Sequence, residues 1–365
     1  MLHSPFTSLD DLLAPGTLSE LAGVAITAVR CAPFTGGHAA SGSHLLALET
    51  NDGRGPRFIV KRVALAWDWI MRATDDRQGR EAVTWTSGLL NRLPPEVTHA
   101  ILACARDGGG WAILMRDASS TLFPPHDPHI GTPITPADDD LILDGLAALH
   151  AAFWEEPEAA DPALGFCTPE QRYRSFSPET GQREVGGPDF YPRIIRDGWE
   201  LLPTLIDPGV ANLVIGLAND PRPLAAALAR YPQTVVHGDP RPPNLGLQRN
   251  EATTRVVLLD WQFLGPGTPG ADLTWYLYSA GPSRRSAEET GIACYRHRLA
   301  RRLGPRFNEG WWQPQLELSL LGQMVRCAQD LAWAAVRHES ASTRERSRAG
   351  LVWWSEQVKA AARLL

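Results

Sequence analysis

The residues from Thr234 to Gln248 read Thr-Val-Val-His-Gly-Asp-Pro-Arg-Pro-Pro-Asn-Leu-Gly-Leu-Gln, and this stretch decides the fold. An apolar run enters a polar loop and a second apolar run leaves it, which predicts two strands joined by a loop that carries function. The loop presents His237, Asp239 and Asn244. Asp and Asn are also common in ordinary turns, so the loop alone leaves a purely structural role open.

A second carboxylate follows at the end of the next predicted strand. Residues 255–260 form an apolar run that ends in Asp260, and residues 249–254 have the composition of a hairpin turn. Phosphoryl transfer from a nucleotide needs a carboxylate that orients the attacking hydroxyl, and carboxylate and amide oxygens that hold Mg²⁺. Asp239, Asn244 and Asp260 supply these groups from the ends of paired strands, where their relative positions are fixed. The sequence therefore predicts a phosphoryl-transfer site at these strand ends.

The composition sets limits on the class of protein. The chain has 365 residues, 44% of them hydrophobic and 21% charged, so it can bury a sizeable core, and its length predicts two lobes. The net charge of −6 argues against a nucleic-acid partner, because neutralising phosphates takes an excess of Lys and Arg. No long apolar run, secretory signal or CxxC pair is present. We therefore expect a cytoplasmic protein without a membrane partner, as a monomer or homodimer.

A helical signal at residues 8–23, several strand-like runs and a second helical pattern precede residue 117. The predicted strands cover residues 24–31, 44–49, 57–63, 101–105 and 111–115. A helix is predicted over residues 75–93, where apolar residues recur at helical spacing. This order predicts a small antiparallel sheet that carries one helix.

The composition and the predicted secondary structure change after residue 117. A proline-rich connection leads to a helix predicted from Thr135 to Trp154, and most of the remainder is helical. We therefore expect an α+β fold in two parts: residues 1–117 with the sheet, and residues 118–365, which are mainly helical.

The motifs resemble those of a known superfamily. HGDPRPPN at residues 237–244 and LLDWQFLGPGTPGADLTWYL at residues 258–277 look like the catalytic motif and metal-binding loop of the aminoglycoside phosphotransferase and choline-kinase-like superfamily. The Asp-Trp-Gln variant is most similar to its ecdysteroid-kinase-like branch. The resemblance implies a bilobal, protein-kinase-like fold with an N-terminal nucleotide-binding lobe, a C-terminal catalytic and acceptor-binding lobe, and the active site in the cleft between them.

The resemblance also implies a role for each motif residue. Asp239 would be the catalytic base, and Asn244 and Asp260 would be the Mg²⁺ ligands. His237 would brace the loop, and Asp272 would tie the loop to the helix behind it.

A lysine in the third predicted strand extends the resemblance. Lys61 is one of only two lysines among 35 basic residues, and it ends the strand Phe-Ile-Val-Lys, where kinase-like folds carry the lysine that binds nucleotide phosphates. Glu81 is the expected ion-pair partner, because no other acidic residue occurs between Arg77 and Pro95. The simpler alternatives are a surface charge for Lys61 and a solvated helix residue for Glu81.

Two further nucleotide contacts follow from the same resemblance. The small-residue hairpin at residues 36–43 would cover the phosphates with its backbone N–H groups, and Ser41 is the expected contact. This hairpin departs from the Gly-x-Gly-x-x-Gly pattern of protein kinases. Residues 111–117 resemble the hinge, where backbone groups near Met115 would meet the adenine.

The implied function is that of a small-molecule kinase. It would transfer the γ-phosphate of ATP (or GTP), with Mg²⁺, to a hydroxyl of a small-molecule acceptor, either an antibiotic or a natural-product or metabolite alcohol. The alternative is a non-catalytic, nucleotide-binding pseudokinase that serves as an interaction module, although every catalytic residue type is present. Kinase activity on proteins is disfavoured, because no activation segment is recognisable between Asp260 and Asp272.

The acceptor site is expected within residues 155–199 and the C-terminal helices. The aromatic residues of this segment favour a hydrophobic acceptor; they include Tyr173, Phe176, Phe190 and Tyr191. Its acids either attract an amino sugar or form a solvated face; they include Glu155, Glu156, Glu158 and Asp161.

Overall fold

The computed structural model describes residues 3–34, 42–124, 134–280 and 288–365. Within these ranges the chain forms ten strands and fourteen α-helices. The strands are β1 Val29–Pro33, β2 His44–Thr50, β3 Phe58–Val63, β4 Val97–His99, β5 Ile101–Asp107, β6 Gly110–Arg116, β7 Thr234–Val236, β8 Leu245–Arg249, β9 Thr254–Leu258 and β10 Gly265–Gly267. The helices are α1 Leu9–Leu13, α2 Pro15–Ala22, α3 Trp69–Ala73, α4 Arg80–Thr86, α5 Pro136–Ala152, α6 Pro169–Arg174, α7 Pro178–Glu184, α8 Tyr191–Leu201, α9 Pro208–Asn219, α10 Arg222–Leu228, α11 Pro269–Ser279, α12 Glu288–Leu303, α13 Glu309–Arg337 and α14 Ala341–Ala361.

A five-stranded antiparallel sheet occupies the first part of the chain, in the order β1-β2-β3-β6-β5. Lys61 of β3 lies opposite Ile113 of β6, and Ile59 lies opposite Met115. Because side chains alternate between the faces of a strand, these four residues share one face of the sheet. The small antiparallel sheet expected from the sequence is confirmed, although its first strand starts at residue 29 rather than 24.

The helix predicted over residues 75–93 is wrong in its bounds, because α4 is only seven residues long. Asp75, Gly79 and Gly88 all adopt positive φ angles, which an α-helix cannot contain. The carboxylate of Asp76 accepts from the backbone N–H groups at the start of α4 and fixes where the helix begins. Helices α1 and α2 lie within the helical signal at residues 8–23, whereas α3 was not expected.

A second, mixed sheet joins the two parts of the chain. Its order is β4-β9-β8, with β4 parallel to β9 and β8 antiparallel to β9. β7 pairs separately with β10. The strand pair predicted around residues 245 and 258 is thus confirmed, and β4 adds a strand from the part that precedes it.

Helix α13 runs through the helical part of the molecule. It is 29 residues long and packs against α8, α11 and α14. The predicted α+β class, with an antiparallel sheet first and a mainly helical region after it, is confirmed. The division near residue 117 falls between β6 and α5 and stays a prediction. In the ranges that the structure describes, no helix is both long and apolar enough to cross a bilayer.

Candidate active site

The loop between β7 and β8 is held by its own backbone and by the neighbouring strand. The Nε2 atom of His237 donates to the carbonyl oxygen of Leu259 at 2.9 Å, and its Nδ1 atom accepts from the backbone N–H of Asp239 at 3.3 Å. Burial lowers the pKa of His237, which suits a neutral ring that donates from one nitrogen and accepts at the other. Gly238 has φ 83°, and a Cβ there would lie 2.4 Å from the carbonyl oxygen of Phe263. Only glycine fits this position.

Asp272 fixes the same loop from behind. Its buried carboxylate on α11 accepts from the backbone N–H groups of His237 at 2.7 Å and Gly238 at 2.8 Å. The ring of His150 on α5 lies 3.1 Å from the same carboxylate and also contacts the hydroxyl of Tyr295. Burial acts to raise the pKa of Asp272, but His150, His237 and the backbone N–H of Gly238 together outweigh burial and lower the pKa. The loop is therefore anchored to α5, α11 and α12.

Both oxygens of the Asp239 carboxylate are engaged. Oδ1 accepts from the indole Nε1 of Trp275 at 2.6 Å, and Oδ2 accepts from Asn244 Nδ2 at 2.9 Å and Arg241 Nε at 3.2 Å. The side chain is almost fully buried, at 5% exposure. Neither Trp275 nor Arg241 is among the site residues predicted from the sequence. Trp275 lies three residues after Asp272 on α11, and this i, i+3 spacing was the available signal that both face the loop.

Asn244 and Asp260 are brought together by the backbone. The N–H of Leu259 donates to the carbonyl oxygen of Asn244 at 3.0 Å. This bond fixes the loop after β9, which carries Asp260, against the loop between β7 and β8. Because the Nδ2 atom of Asn244 donates to Asp239, its Oδ1 atom is the one that can coordinate a cation. Asp260 has φ 63°, an unusual conformation for a residue other than glycine and one that clusters at functional sites.

Lys61 connects the five-stranded sheet to the loop after β9. Its Nζ atom lies 2.8 Å from Glu81 Oε2 and 2.7 Å from Asp260 Oδ1, and the side chain is 7% exposed. Burial acts to lower the pKa of Lys61, but the two carboxylates outweigh it and raise the pKa. Burial raises the pKa of Glu81 despite Lys61. Burial would also raise that of Asp260, but the ammonium group outweighs it and lowers the value. The surface-charge alternatives for Lys61 and Glu81 therefore do not fit the structure.

The remaining predicted nucleotide contacts are only partly described. Ser41 lies outside the described residues. The hydroxyl of Ser43, which follows it, donates to Asp68 Oδ2 at 2.8 Å. Asp68 also caps α3, and burial raises its pKa to about 6, against the opposing effect of Lys61. Met115 is buried on the face of the sheet that carries Lys61.

The donor set beside Asp239 suits a hard cation. Mg²⁺ is usually held by one or two protein carboxylates together with substrate phosphates and water, rather than by a closed protein cage. The carboxylate of Asp260 and the Oδ1 atom of Asn244 are oxygen ligands of this kind. Among the residues with described positions, no group of three or more His, Cys, Asp or Glu residues could hold a metal on its own. The residues present thus fit a cation that is shared with phosphate oxygens.

Aromatic rings adjoin Asp239. Phe176 stacks on Trp275 with ring centroids 6.3 Å apart, and Tyr191 meets Phe176 edge-on at 5.8 Å. Trp69 of α3 stacks on Tyr191, so the sheet-bearing part reaches the same ring cluster. The aromatic residues predicted for the acceptor site therefore do not all lie together. Phe176 and Tyr191 lie in this ring cluster, whereas Tyr173 packs in the core against a glycine of α13.

Three of the four acids considered for an amino-sugar site already have an ion-pair or hydrogen-bond partner. Arg92 binds both Glu156 and Glu158, and Asp161 accepts from the backbone N–H of Ala163. This pattern favours the solvated, ion-paired face over an amino-sugar site.

One of the comparisons with known proteins shows a family for this chain. The family model described as APH, phosphotransferase enzyme family, matches residues 47–313. A search of curated proteins gives no significant match.

Three solved structures illustrate the structural similarity. An ethanolamine kinase of Plasmodium vivax has 12% identity and a TM-score of 0.47, covering 94% of this chain and 84% of its own. An aminoglycoside phosphotransferase of Streptomyces rimosus has 18% identity and a TM-score of 0.45, covering 87% and 98%. A choline kinase of Streptococcus pneumoniae has 14% identity and a TM-score of 0.48, covering 95% and 98%. Similarity at this level carries no argument about the site.

Proposed function

Because the chain belongs to the phosphotransferase enzyme family, we propose that it transfers the γ-phosphate of ATP or GTP to a hydroxyl group of a small molecule. The observation that supports this most strongly is the contact of 2.7 Å between Lys61 Nζ and Asp260 Oδ1. This contact brings the ammonium group of Lys61, on the five-stranded sheet, to the carboxylate of Asp260, which adjoins the Asp239–Asn244 pair. A nucleotide at this point would meet all of these groups together.

The proposed transfer uses Asp239 as the base. The acceptor oxygen forms a bond to the γ-phosphorus while the bond from this phosphorus to the β–γ bridging oxygen breaks. The acceptor proton passes to the Asp239 carboxylate, and the nucleoside diphosphate leaves. Trp275 and Asn244 hold both carboxylate oxygens, so the base needs little reorganisation as the reaction proceeds.

The nucleotide would be held from the opposite side. Lys61 would bind the phosphates, and Glu81 would orient its ammonium group. Ser41 would contact the phosphates, and backbone groups near Met115 would contact the adenine. Asn244 Oδ1 and Asp260 would hold Mg²⁺, which neutralises phosphate charge when bound.

The acceptor would lie against the rings beside Asp239. Tyr191 is half-buried there and is backed by the buried rings of Phe176 and Trp275, and the acids Glu156 and Glu158 are already paired with arginine. We therefore propose a hydroxylated compound with an apolar face in preference to a polycationic amino sugar. An acceptor screen that contains both kinds, read by mass spectrometry for an added phosphate, tests this preference.

The central experiment replaces the base. Thermal-shift titration of the wild-type protein with Mg·ATP and Mg·GTP measures binding, and the acceptor screen measures turnover. Asp239→Asn should lower turnover by about a hundredfold or more and leave nucleotide binding largely intact. Asp10→Asn, at an exposed position on α1, is the matched control and should behave as wild type.

Two results would contradict the proposal. Turnover by Asp239→Asn at the parent rate would remove the assigned base. Nucleotide binding by the wild-type protein without consumption under any acceptor would favour the non-catalytic module instead.

A further inference from the structure

A second cation stands beside the Asp239 carboxylate. The Arg241 Nε atom lies 3.2 Å from Asp239 Oδ2, and this is the side-chain hydrogen bond that the described residues give it. A guanidinium group has several more N–H donors in a planar fork. The Arg241 side chain is 34% exposed, against 7% for Lys61, so part of it is accessible to a ligand.

Arg241 is not needed to position the base. Asp239 Oδ1 is held by Trp275 and Oδ2 by Asn244, both at shorter distances than the contact with Arg241. The carboxylate would therefore keep its orientation without the arginine. This redundancy leaves the guanidinium group available for another partner.

The charges around the site leave room for a further cation. Glu81, Asp260 and Asp239 carry three negative charges. Against them stand Lys61, which two of these carboxylates contact, and the buried Arg326, which donates to the carbonyl oxygen of Gly238. Asp239, and beyond it Asp260, raise the pKa of Arg241 against the effect of burial, so the side chain is charged at any working pH. A nucleoside triphosphate would add further negative charge between these groups.

We propose that the Arg241 guanidinium binds oxygens of the transferred γ-phosphoryl group, as a catalytic residue of the proposed transfer on which this inference rests. During transfer the charge spreads over the three equatorial oxygens of that group. A planar guanidinium donates to two such oxygens at once, which a compact ammonium group cannot do with the same geometry. Arg241 thus stabilises the phosphoryl group while Asp239 takes the proton of the acceptor.

The test compares nucleotides that differ in the γ-phosphate and needs no acceptor. Calorimetric titration with Mg·AMP-PNP and with Mg·ADP, and in parallel with Mg·GMP-PNP and Mg·GDP, gives an affinity ratio for each variant. Arg241→Gln should weaken binding of the triphosphate analogue by at least about tenfold, the value of one of the two charge-assisted hydrogen bonds, and leave the diphosphate within about twofold. Arg241→Lys should recover part of the loss.

Arg222→Gln is the control, because Arg222 is an exposed arginine that pairs with an aspartate on the surface. It should leave the ratio unchanged. A wild-type ratio in Arg241→Gln, or an equal loss of both nucleotides, would overturn the role of Arg241 while the proposed function stands. Failure of the wild-type protein to bind any nucleotide would overturn the proposed function and this inference with it.

Discussion

Asp272 is the residue whose replacement we expect to affect stability most clearly. Its carboxylate is fully buried and accepts from the backbone N–H groups of His237 and Gly238 at 2.7 and 2.8 Å, and it contacts His150 at 3.1 Å. Asp272→Ala removes the acceptor and leaves two backbone N–H groups buried without a partner.

The size of the effect follows from these contacts. A hydrogen bond to a charged group contributes about 1.5–3 kcal/mol, so losing two of them should lower the free energy of unfolding by about 3–6 kcal/mol. The entropy of unfolding of a chain of this length is about 0.8 kcal/mol per kelvin. The melting temperature should therefore fall by about 4–8 °C. The fall is large against a total stability of about 5–15 kcal/mol.

Thermal unfolding followed by circular dichroism, with calorimetry beside it, measures the shift. Asp272→Asn keeps one carbonyl oxygen for the two N–H groups and should cost about half as much. Asp10→Ala removes an exposed carboxylate for which the described residues show no hydrogen bond, and it should shift the melting temperature by about one degree at most. If Asp272→Ala melted with the wild-type protein, the anchoring role of this carboxylate would have to be abandoned.

Three further outcomes are expected. Gly238→Ala should lower the free energy of unfolding by at least about 2 kcal/mol in urea titrations, since its Cβ would meet the Phe263 carbonyl at 2.4 Å and φ is 83°; an unchanged midpoint would contradict this. Lys61→Met should cost about 3–5 kcal/mol at pH 7, because it leaves two buried carboxylates without their cation, and a neutral effect in the same titration would count against the ion triad. Burial raises the pKa of Asp68 to about 6, above its unfolded value near 3.8, so the native state binds the extra proton and stability should fall by about 3 kcal/mol as the pH rises from about 4 to 6. Asp68→Asn should flatten that part of the stability profile, and an unaltered slope would show that another group titrates.

The loop from His237 to Asn244 could be predicted because its chemistry is local. Asp239 and Asn244 are five residues apart, and the apolar runs on either side set the strands that hold them. The contact between Lys61 and Asp260 spans 199 positions, and no periodicity in the sequence specifies it. The partner expected for Lys61 was Glu81, and the contact with Asp260 was not predicted from the sequence.

Other features escaped because they depend on backbone conformations that composition does not reveal. The helix predicted over residues 75–93 has the right apolar spacing, but left-handed residues at Gly79 and Gly88 confine it to α4. Trp275 was not anticipated as a partner of Asp239, since tryptophan in an apolar helix is far more often a core residue. Asp68 was not anticipated either, because in the sequence it resembles an ordinary helix cap. In the structure it also accepts a hydrogen bond from Ser43.

The parallel pairing of β4 with β9 has a consequence for how the molecule can be divided. In the chain β4 lies between α4 and β5, yet its hydrogen-bonding partner is β9, at residues 256–258, far beyond residue 117. A polypeptide cut at the connection after β6 would leave β4 unpaired on one fragment and one edge of β9 uncovered on the other, and open strand edges tend to pair with other chains. We expect the fragments to aggregate when produced singly and to reassemble when produced together, as a split protein does.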